Sequence, residues 1–201
     1  GDYYDIIELD KDDCVVAIAD VSGKGVPASL LMANMQAFLQ VICRQNVPLD
    51  EATGLINDLI SKNTADGKFI TFFWGILNNI DMTFEYVNAG HNPPLLIRDG
   101  KIIKLEIGGM ILGVMKTILP YRSEKIQLMK DDVLVMFTDG ISEAMNKKSE
   151  EFSDEALEKL SLEMAGASAE TILKEIQSEV QRFTDGANQS DDITLVVIKV
   201  K

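Results

Sequence analysis

Carboxylate side chains stand at the ends of apolar, strand-like runs of the sequence. The acidic residues concerned are Asp2 and Asp5 at the start of the chain, Asp20, Asp139, and the neighbours Asp191 and Asp192. If several of them converge they repel, because two unit charges about 4 Å apart cost roughly 4 kcal/mol at an effective dielectric near 20. A divalent cation would remove this repulsion, and oxygen ligands without nearby His or Cys favour Mg²⁺ or Mn²⁺ over Zn²⁺.

The alternative for each of these aspartates is a role in a turn. An Asp that follows a strand, especially before Gly, is commonly a turn residue. The tetrapeptide Phe-Thr-Asp-Gly occurs twice, at 137–140 after an apolar strand and at 183–186 after an amphipathic helix. We interpret the second copy as a turn that ends the helix and assign no chemistry to Asp185. The context of the tetrapeptide, rather than the tetrapeptide itself, therefore carries the information, and for Asp139 or Asp20 taken alone a turn role is favoured over a ligand role.

The loop after Asp20 is suited to a ligand, but not as a P-loop. Residues 20–28 read Asp-Val-Ser-Gly-Lys-Gly-Val-Pro-Ala, and the two glycines allow the backbone to approach a ligand closely. Backbone carbonyls of this loop could join carboxylates around a hard cation. Ile18 occupies the place where a P-loop requires Gly, so that motif is excluded.

His91 is the only histidine, which excludes a His-based zinc site. A Ser-His-Asp triad would depend on it entirely, and no nucleophile-elbow motif supports one. His91 lies in residues 88–94, Asn-Ala-Gly-His-Asn-Pro-Pro, whose composition indicates a turn rather than a catalytic segment.

Composition limits the classes of partner. The chain has 201 residues, a formal net charge of −13 and 46% apolar residues, which is typical of a globular protein. The acidic excess argues against binding to nucleic acids or anionic membranes. Cys14 and Cys43 lie in apolar runs, so we expect reduced core thiols and a cytoplasmic location.

The order of the elements predicts an α+β fold, because most strands follow one another through short turns and the helices form two groups. The predicted strands are residues 14–19, 69–77, 83–88, 94–98, 101–105, 125–128, 133–137 and 193–200. The predicted helices are residues 27–44, 49–63, 153–164 and 168–183. Asp99-Gly100 predicts a two-residue hairpin turn. We find no linker or repeat and treat residues 1–201 as one domain.

Six segments together resemble the bacterial PP2C-like (PPM) serine/threonine phosphatases of the SpoIIE/RsbU type. They are residues 1–5 (Gly-Asp-Tyr-Tyr-Asp), 20–25 (Asp-Val-Ser-Gly-Lys-Gly), 88–94, 112–114 (Leu-Gly-Val), 137–144 (Phe-Thr-Asp-Gly-Ile-Ser-Glu-Ala) and 191–194 (Asp-Asp-Ile-Thr). Each motif is weak alone, but they follow the family's order and span nearly the whole chain. The resemblance implies an antiparallel β-sandwich flanked by helices, with two Mn²⁺ or Mg²⁺ ions.

The resemblance also implies a role for individual residues. Asp20 would bridge both metals with the Val21 carbonyl as a further ligand, Asp2 would serve one metal, and Asp139 and Asp191 the other. Asp192 is not separated from Asp191 by the sequence, although the motif favours Asp191. Asp20 and Asp139 would be catalytic through a metal-activated water.

The implied reaction is hydrolysis of phosphoserine or phosphothreonine on a protein. The family's usual substrate is a phosphorylated STAS-domain anti-anti-sigma factor in a partner-switching pathway. The abrupt start at Gly1 leads us to expect a domain excised from a longer protein with an N-terminal sensor.

Alternatives to this function are a catalytically weak or inactive interaction module and a hydrolase of small phosphate esters. A homodimer through the apolar helix 27–44 is a further possibility, although core packing is favoured for that helix.

Overall fold

The computed structural model describes residues 1–64, 67–189 and 191–201. In chain order its elements are β1 (Asp2–Glu8), β2 (Asp13–Val21), α1 (Val26–Ile42), α2 (Leu49–Asn63), β3 (Ile70–Asn78), β4 (Thr83–Ala89), β5 (Leu95–Arg98), β6 (Lys101–Lys104), β7 (Gly108–Gly109), β8 (Glu124–Gln127), β9 (Val133–Phe137), α3 (Asp139–Ser142), α4 (Asp154–Met164), α5 (Ala169–Thr184) and β10 (Leu195–Lys199). Within these described ranges, no helix combines the length and apolarity needed to cross a membrane.

The chain forms two compact units. The first unit comprises Gly1–His91 and Glu106–Gln127, and the second comprises Asn92–Leu105 and Leu128–Lys201. In the described residues the first unit holds a six-stranded sheet of order β1-β2-β3-β4-β7, with β8 also paired to β4. The second unit holds a four-stranded sheet of order β10-β9-β5-β6. The pairings are antiparallel except β4 with β7, as the predicted α+β class requires.

The core of the first unit lies between one face of its sheet and the helices α1 and α2. Alternate residues of β2, Val15 to Val21, join Phe72 and Trp74 of β3 in this core. From the helices it receives mainly Met35, Leu39, Ile56 and Ile60. The intervening residues of the strands point to the opposite face, because successive strand side chains alternate. Asp20 lies on that opposite face.

The second unit buries one face of its sheet against α4 and α5. Side chains of β5 and β9 pack with Leu157 of α4 and with Ile172, Ile176 and Val180 of α5. Serine side chains cap both helices: Ser153 Oγ accepts from the Ala156 amide and Ser168 Oγ from the Thr171 amide. Such caps satisfy amide groups that lack an intrahelical acceptor.

Most predicted elements are confirmed within one or two residues of their ends. The Asp99-Gly100 hairpin is also confirmed, and both residues have positive φ, at 51° and 69°. Three elements were not predicted: β1, the two-residue β7, and the single turn of α3. In β1 only Tyr3 and Ile7 are buried, so its apolar signal is short.

Candidate metal centre

The first unit brings Asp2 and Asp20 together. In the antiparallel ladder of β1 and β2, Asp2 is paired directly with Asp20. Directly paired residues project from the same face with Cβ atoms about 4.5–5.5 Å apart, and like charges there are destabilising. The Asp20 side chain is 27% exposed, and its Oδ1 lies 3.9 Å from the amino group of Gly1. Sheet register, rather than sequence proximity, therefore creates this carboxylate pair.

Asp5, which the sequence grouped with Asp2, belongs to a different environment. Its Oδ2 accepts hydrogen bonds from Tyr3 Oη and from Gln40 Nε2 of α1, both at 2.9 Å. Asp5 is paired with Ala17, a residue of the core face. Alternation therefore separates the two carboxylates onto opposite faces of the sheet.

Val21, the predicted backbone ligand, lies beside this pair. Its carbonyl accepts a hydrogen bond from the Gly1 amino group at 3.1 Å, and its amide donates to the Gly1 carbonyl at 3.4 Å. A carbonyl oxygen has two lone pairs, so one hydrogen bond leaves capacity for a second partner. The side chain of Val21 is buried in the core.

The second unit brings the segments around Asp139 and Asp191 together. Thr138 donates its amide to the Thr194 carbonyl at 3.1 Å, and Thr138 Oγ1 accepts from the Thr194 amide at 3.0 Å. Asp139 follows as the first residue of α3. A Cβ added to Gly140 would lie 1.9 Å from the Asp192 carbonyl oxygen, so only glycine permits this approach.

The pKa of Glu143 reflects the negative charges that surround it in this region. Its pKa is raised by partial desolvation and by the negative charges of Asp139, Glu151, Asp191 and Asp154. Asp191 is among those charges and Asp192 is not. Asp191 Oδ1 accepts from the Asp192 amide at 2.9 Å, and the Asp192 backbone is the part that contacts Gly140. Sequence reasoning did not single out Glu143, although it follows Asp139 by four residues, a spacing that would have suggested proximity on a helix.

Asp185, in the second copy of Phe-Thr-Asp-Gly, ends α5 as predicted. It adopts a left-handed conformation with φ 48°, and its carboxylate pairs with Lys147 Nζ at 2.9 Å. Both partners of that pair are well exposed.

The donor set of these two regions suits a hard divalent cation. The predicted ligands are carboxylate and carbonyl oxygens, which Mg²⁺ and Mn²⁺ prefer. No group of three or more His, Cys, Asp or Glu side chains placed to hold a metal ion occurs among residues 1–64, 67–189 and 191–201. Mg²⁺ is usually bound through only one or two carboxylates and keeps several waters, so pairs of carboxylates fit it.

Comparisons with known proteins identify the family of the chain. The family described as Stage II sporulation protein E (SpoIIE) matches residues 10–201, which excludes Asp2 but contains the other predicted ligands. The phosphoserine phosphatase RsbU of Bacillus subtilis (strain 168) is 30% identical over 204 residues, covering 100% of this chain and 59% of RsbU. The chain thus spans less than two thirds of that relative.

Two solved structures give the fold. The PP2C phosphatase domain of SpoIIE from Bacillus subtilis, solved with a fragment of its regulatory domain, has a TM-score of 0.82 and 25% identity. The match covers 99% of this chain and 58% of that one. RsbX, solved in complex with magnesium, has a TM-score of 0.73 and 16% identity, covering 100% of this chain and 87% of RsbX. The predicted PP2C-like fold is therefore confirmed, and the chain belongs to the SpoIIE family of PP2C-type phosphatase domains.

Proposed function

We propose that this chain is the catalytic domain of a metal-dependent phosphatase that hydrolyses phosphoserine or phosphothreonine on a protein. The observation that carries the proposal is the placement of the motif aspartates at strand ends. Asp2 and Asp20 form one pair in the first unit, and Asp139 and Asp191 lie in adjoining segments of the second. The similarity to RsbU, a phosphoserine phosphatase, supports the same reaction.

Two Mn²⁺ or Mg²⁺ ions are the proposed cofactors, with Asp2, Asp20 and the Val21 carbonyl as ligands in the first unit and Asp139 and Asp191 in the second. When bound, such ions supply a water of lowered pKa as the nucleophile and positive charge for the phosphoryl oxygens. The magnesium complex of RsbX supports the choice of ion. Asp20 and Asp139 are the proposed catalytic residues through their hold on that water.

The side chains of this chain then have no covalent step to perform. Its only imidazole, that of His91, is 4% exposed and hydrogen-bonded to Thr71, so it is committed to the interior of the first unit. Both thiols have a raised pKa because burial disfavours the thiolate, so neither is an activated nucleophile. Ligand carboxylates that stay ionised and correctly oriented are what the reaction requires of the protein.

Further proposals concern the substrate, the cellular location, the domain context and the oligomeric state. We propose a phosphorylated STAS-domain protein of a partner-switching pathway as the substrate, and a cytoplasmic location. Residues 1–201 would form a single phosphatase domain within a protein that also carries a sensor. A homodimer through α1 would use its exposed apolar residues Val26, Leu30 and Val41, which are 72%, 62% and 62% exposed.

Phosphate release from a phosphorylated STAS-domain protein tests the proposal. We expect activity in Mn²⁺ or Mg²⁺ and none in EDTA. Asp139→Asn and Asp20→Asn should each lower activity by more than about 100-fold, beyond the 10–100-fold typical of groups that only orient a ligand. The matched control is Asp185→Asn, which changes the same tetrapeptide at a solvent-exposed helix end and should keep activity.

Four outcomes would contradict the proposal. Metal-independent turnover, or full activity of Asp20→Asn, would exclude the assigned metal centre. A wild-type chain that binds no Mn²⁺ in calorimetry would favour an inactive interaction module. Turnover of a generic aryl phosphate but not of the phosphoprotein would favour a hydrolase of small phosphate esters.

A further inference from the structure

The end of β4 and the residues that follow it, 88–91, are held together by the Asn88 side chain. Asn88 Oδ1 accepts from the His91 amide at 2.8 Å, and Asn88 Nδ2 donates to the His91 carbonyl at 3.1 Å. Gly90 has φ 72°, and a Cβ there would lie 2.2 Å from Ile111 Cγ2, so the position admits only glycine. These contacts fix the backbone of His91, whereas the predicted turn over residues 88–94 stays a prediction.

Residues 88–91 place the His91 ring against β3 of the first sheet. The residue is 4% exposed, and its Nδ1 lies 2.9 Å from Thr71 Oγ1 on β3. A buried imidazole requires hydrogen-bond partners, because burial of an unsatisfied polar group costs free energy. The Thr71 hydroxyl meets that need at Nδ1 and is in turn held in one orientation.

Thr71 stands directly beside the carboxylate pair. In the ladder of β2 and β3, Thr71 is paired with Asp20, which is paired with Asp2 on β1. Paired side chains share one face of the sheet, with Cβ atoms about 4.5–5.5 Å apart. The neighbours Ile70 and Phe72 belong to the core on the other face. One face therefore carries, in order, Asp2, Asp20, Thr71 and the ring of His91.

We propose that His91 and Thr71 are positioning residues for the Asp20 carboxylate, an inference that rests on the proposed metal centre. His91 Nδ1–H donates to Thr71 Oγ1, and this leaves the hydroxyl proton of Thr71 to donate toward Asp20. A hydroxyl held in this way restricts the rotamers of Asp20 before a metal binds. Hydrogen bonds to ligating carboxylates commonly set metal affinity, and their loss costs about 10–100-fold.

Isothermal titration of the 201-residue chain with Mn²⁺ alone tests the inference. Thr71→Val preserves the shape of the side chain and removes its hydroxyl, so we expect the Kd for Mn²⁺ to rise by about 10-fold. Thr71→Ser retains the hydroxyl and should restore most of the affinity. His91→Asn, which keeps a donor near Nδ1, should be milder than His91→Leu in the same titration.

The control is Thr53→Val, since Thr53 is also a threonine with a structural hydroxyl in the first unit. Its Oγ1 accepts from Trp74 Nε1 at 2.9 Å and donates to the Leu49 carbonyl at 2.8 Å. We expect Thr53→Val to lower the urea midpoint in EDTA and to leave the Kd for Mn²⁺ unchanged. A merely structural role of Thr71 would give the same result as Thr53.

The possible results separate the two proposals. If the wild-type chain binds no Mn²⁺, the proposed metal centre fails. If the wild type binds Mn²⁺ and Thr71→Val binds it equally well, the metal centre survives and the positioning role is overturned. An affinity loss in Thr71→Val that Thr71→Ser does not restore would also overturn it, because the hydroxyl would not be the group responsible.

Discussion

The two units arrange their aspartates by different backbone means. In the first unit, Asp20 lies within a nine-residue strand that is paired on both sides, to β1 and to β3. In the second unit, Asp139 begins a helix of a single turn, and Asp191 precedes β10 outside any strand. The surroundings differ as well, since Asp20 is half-buried and Asp191 is exposed.

This difference indicates which contacts hold the aspartate-bearing segments of each unit in place. A paired strand fixes the face from which each side chain projects through its regular hydrogen bonds, so the ladder itself sets the face on which Asp20 lies. A one-turn helix and an exposed segment have few such bonds, and close packing must replace them. Gly140 against the Asp192 backbone and Thr138 against Thr194 are the contacts that provide it.

Arg98 and Asp132 give the largest expected effect on the second unit. Asp132 is 2% exposed and accepts from Arg98 Nε at 2.9 Å and from Nη2 at 2.6 Å, while its carbonyl accepts from the Val200 amide. Arg98→Ala would leave a buried carboxylate without this partner, so the free energy of unfolding should fall by about 3–5 kcal/mol. Urea denaturation followed by far-UV circular dichroism measures it.

The control for that experiment is Lys174→Ala. Lys174 pairs with Glu170 on the exposed surface of α5 at 2.6 Å. Exposed i,i+4 pairs contribute only about 0.3–0.5 kcal/mol, so this variant should be nearly silent. A loss below about 1 kcal/mol for Arg98→Ala would show that the buried pair does not stabilise the unit as expected.

Gly140→Ala tests whether close packing orders the adjoining segments that carry Asp139 and Asp191. The added methyl group meets the Asp192 carbonyl at 1.9 Å, and neither partner is a flexible side-chain end. Overpacking of this kind typically costs about 1–3 kcal/mol, and the displaced segment includes Asp191, so Mn²⁺ affinity should fall too. Thermal unfolding in EDTA and titration with Mn²⁺ give the two measurements.

Gly166→Ala is the matched control in the same unit, because nothing lies within 4 Å of a Cβ at that position. It should leave both stability and metal affinity nearly unchanged. If the two variants have the same stability and the same affinity for Mn²⁺, the approach of Asp192 to Gly140 is not needed to order the segments that carry Asp139 and Asp191.

The smallest expected effect is a loss of stability at alkaline pH, which should act on the first unit. All four tyrosines of the chain lie in the first unit. Burial raises the pKa of Tyr121 to about 12, and burial together with the Asp5 and Glu124 carboxylates raises the pKa of Tyr3 and Tyr86. A raised folded pKa means that the neutral phenol is preferred in the fold. This stability is present below the unfolded pKa near 10 and is lost as the pH rises through the folded value.

We therefore expect the urea midpoint to decline above about pH 10. For Tyr121 the free energy of unfolding should fall by up to about 1.4 kcal/mol for each unit by which the fold raises its pKa. The fluorescence of Trp74, the only tryptophan, reports on the first unit, where this residue is 1% exposed. Tyr121→Phe removes the titrating hydroxyl, which donates to the Met110 carbonyl, and should flatten the decline. An unchanged midpoint between pH 9 and 12 would refute the expectation.

Much of the fold could be predicted because its signals are local. The capping residues Ser153 and Ser168, the hairpin at Asp99-Gly100 and the apolar runs of β2 and β9 depend on residues close together in the chain. The two copies of Phe-Thr-Asp-Gly were also distinguished locally, since one follows a strand and the other a helix. The strand β1 was missed because only two of its residues are buried.

The sequence nominates the members of the candidate site but does not give their arrangement. The family resemblance assigns Asp2, but not Asp5, to a metal, and alternation in β1 places the two carboxylates on opposite faces of the sheet. Thr71 carries no signal of its own, because its proposed role comes from pairing with Asp20, which lies 51 positions earlier in the chain. The preference for Asp191 over Asp192 comes from the family motif and stays a prediction; the structure adds that the Asp192 backbone packs against Gly140.

The amino-acid sequence by itself determined the family, the class of fold, the oxygen-only donors of the proposed metal site and the exclusion of a histidine-based one. These follow from residue types and short spacings, which local propensity and motif order express directly. The tertiary structure decided which carboxylates face each other, which face of the sheet they occupy, and that a buried histidine and a threonine stand beside one of them. The reason is that strand register and side-chain alternation join residues far apart in the chain, and a shift of one residue would send each side chain to the other face.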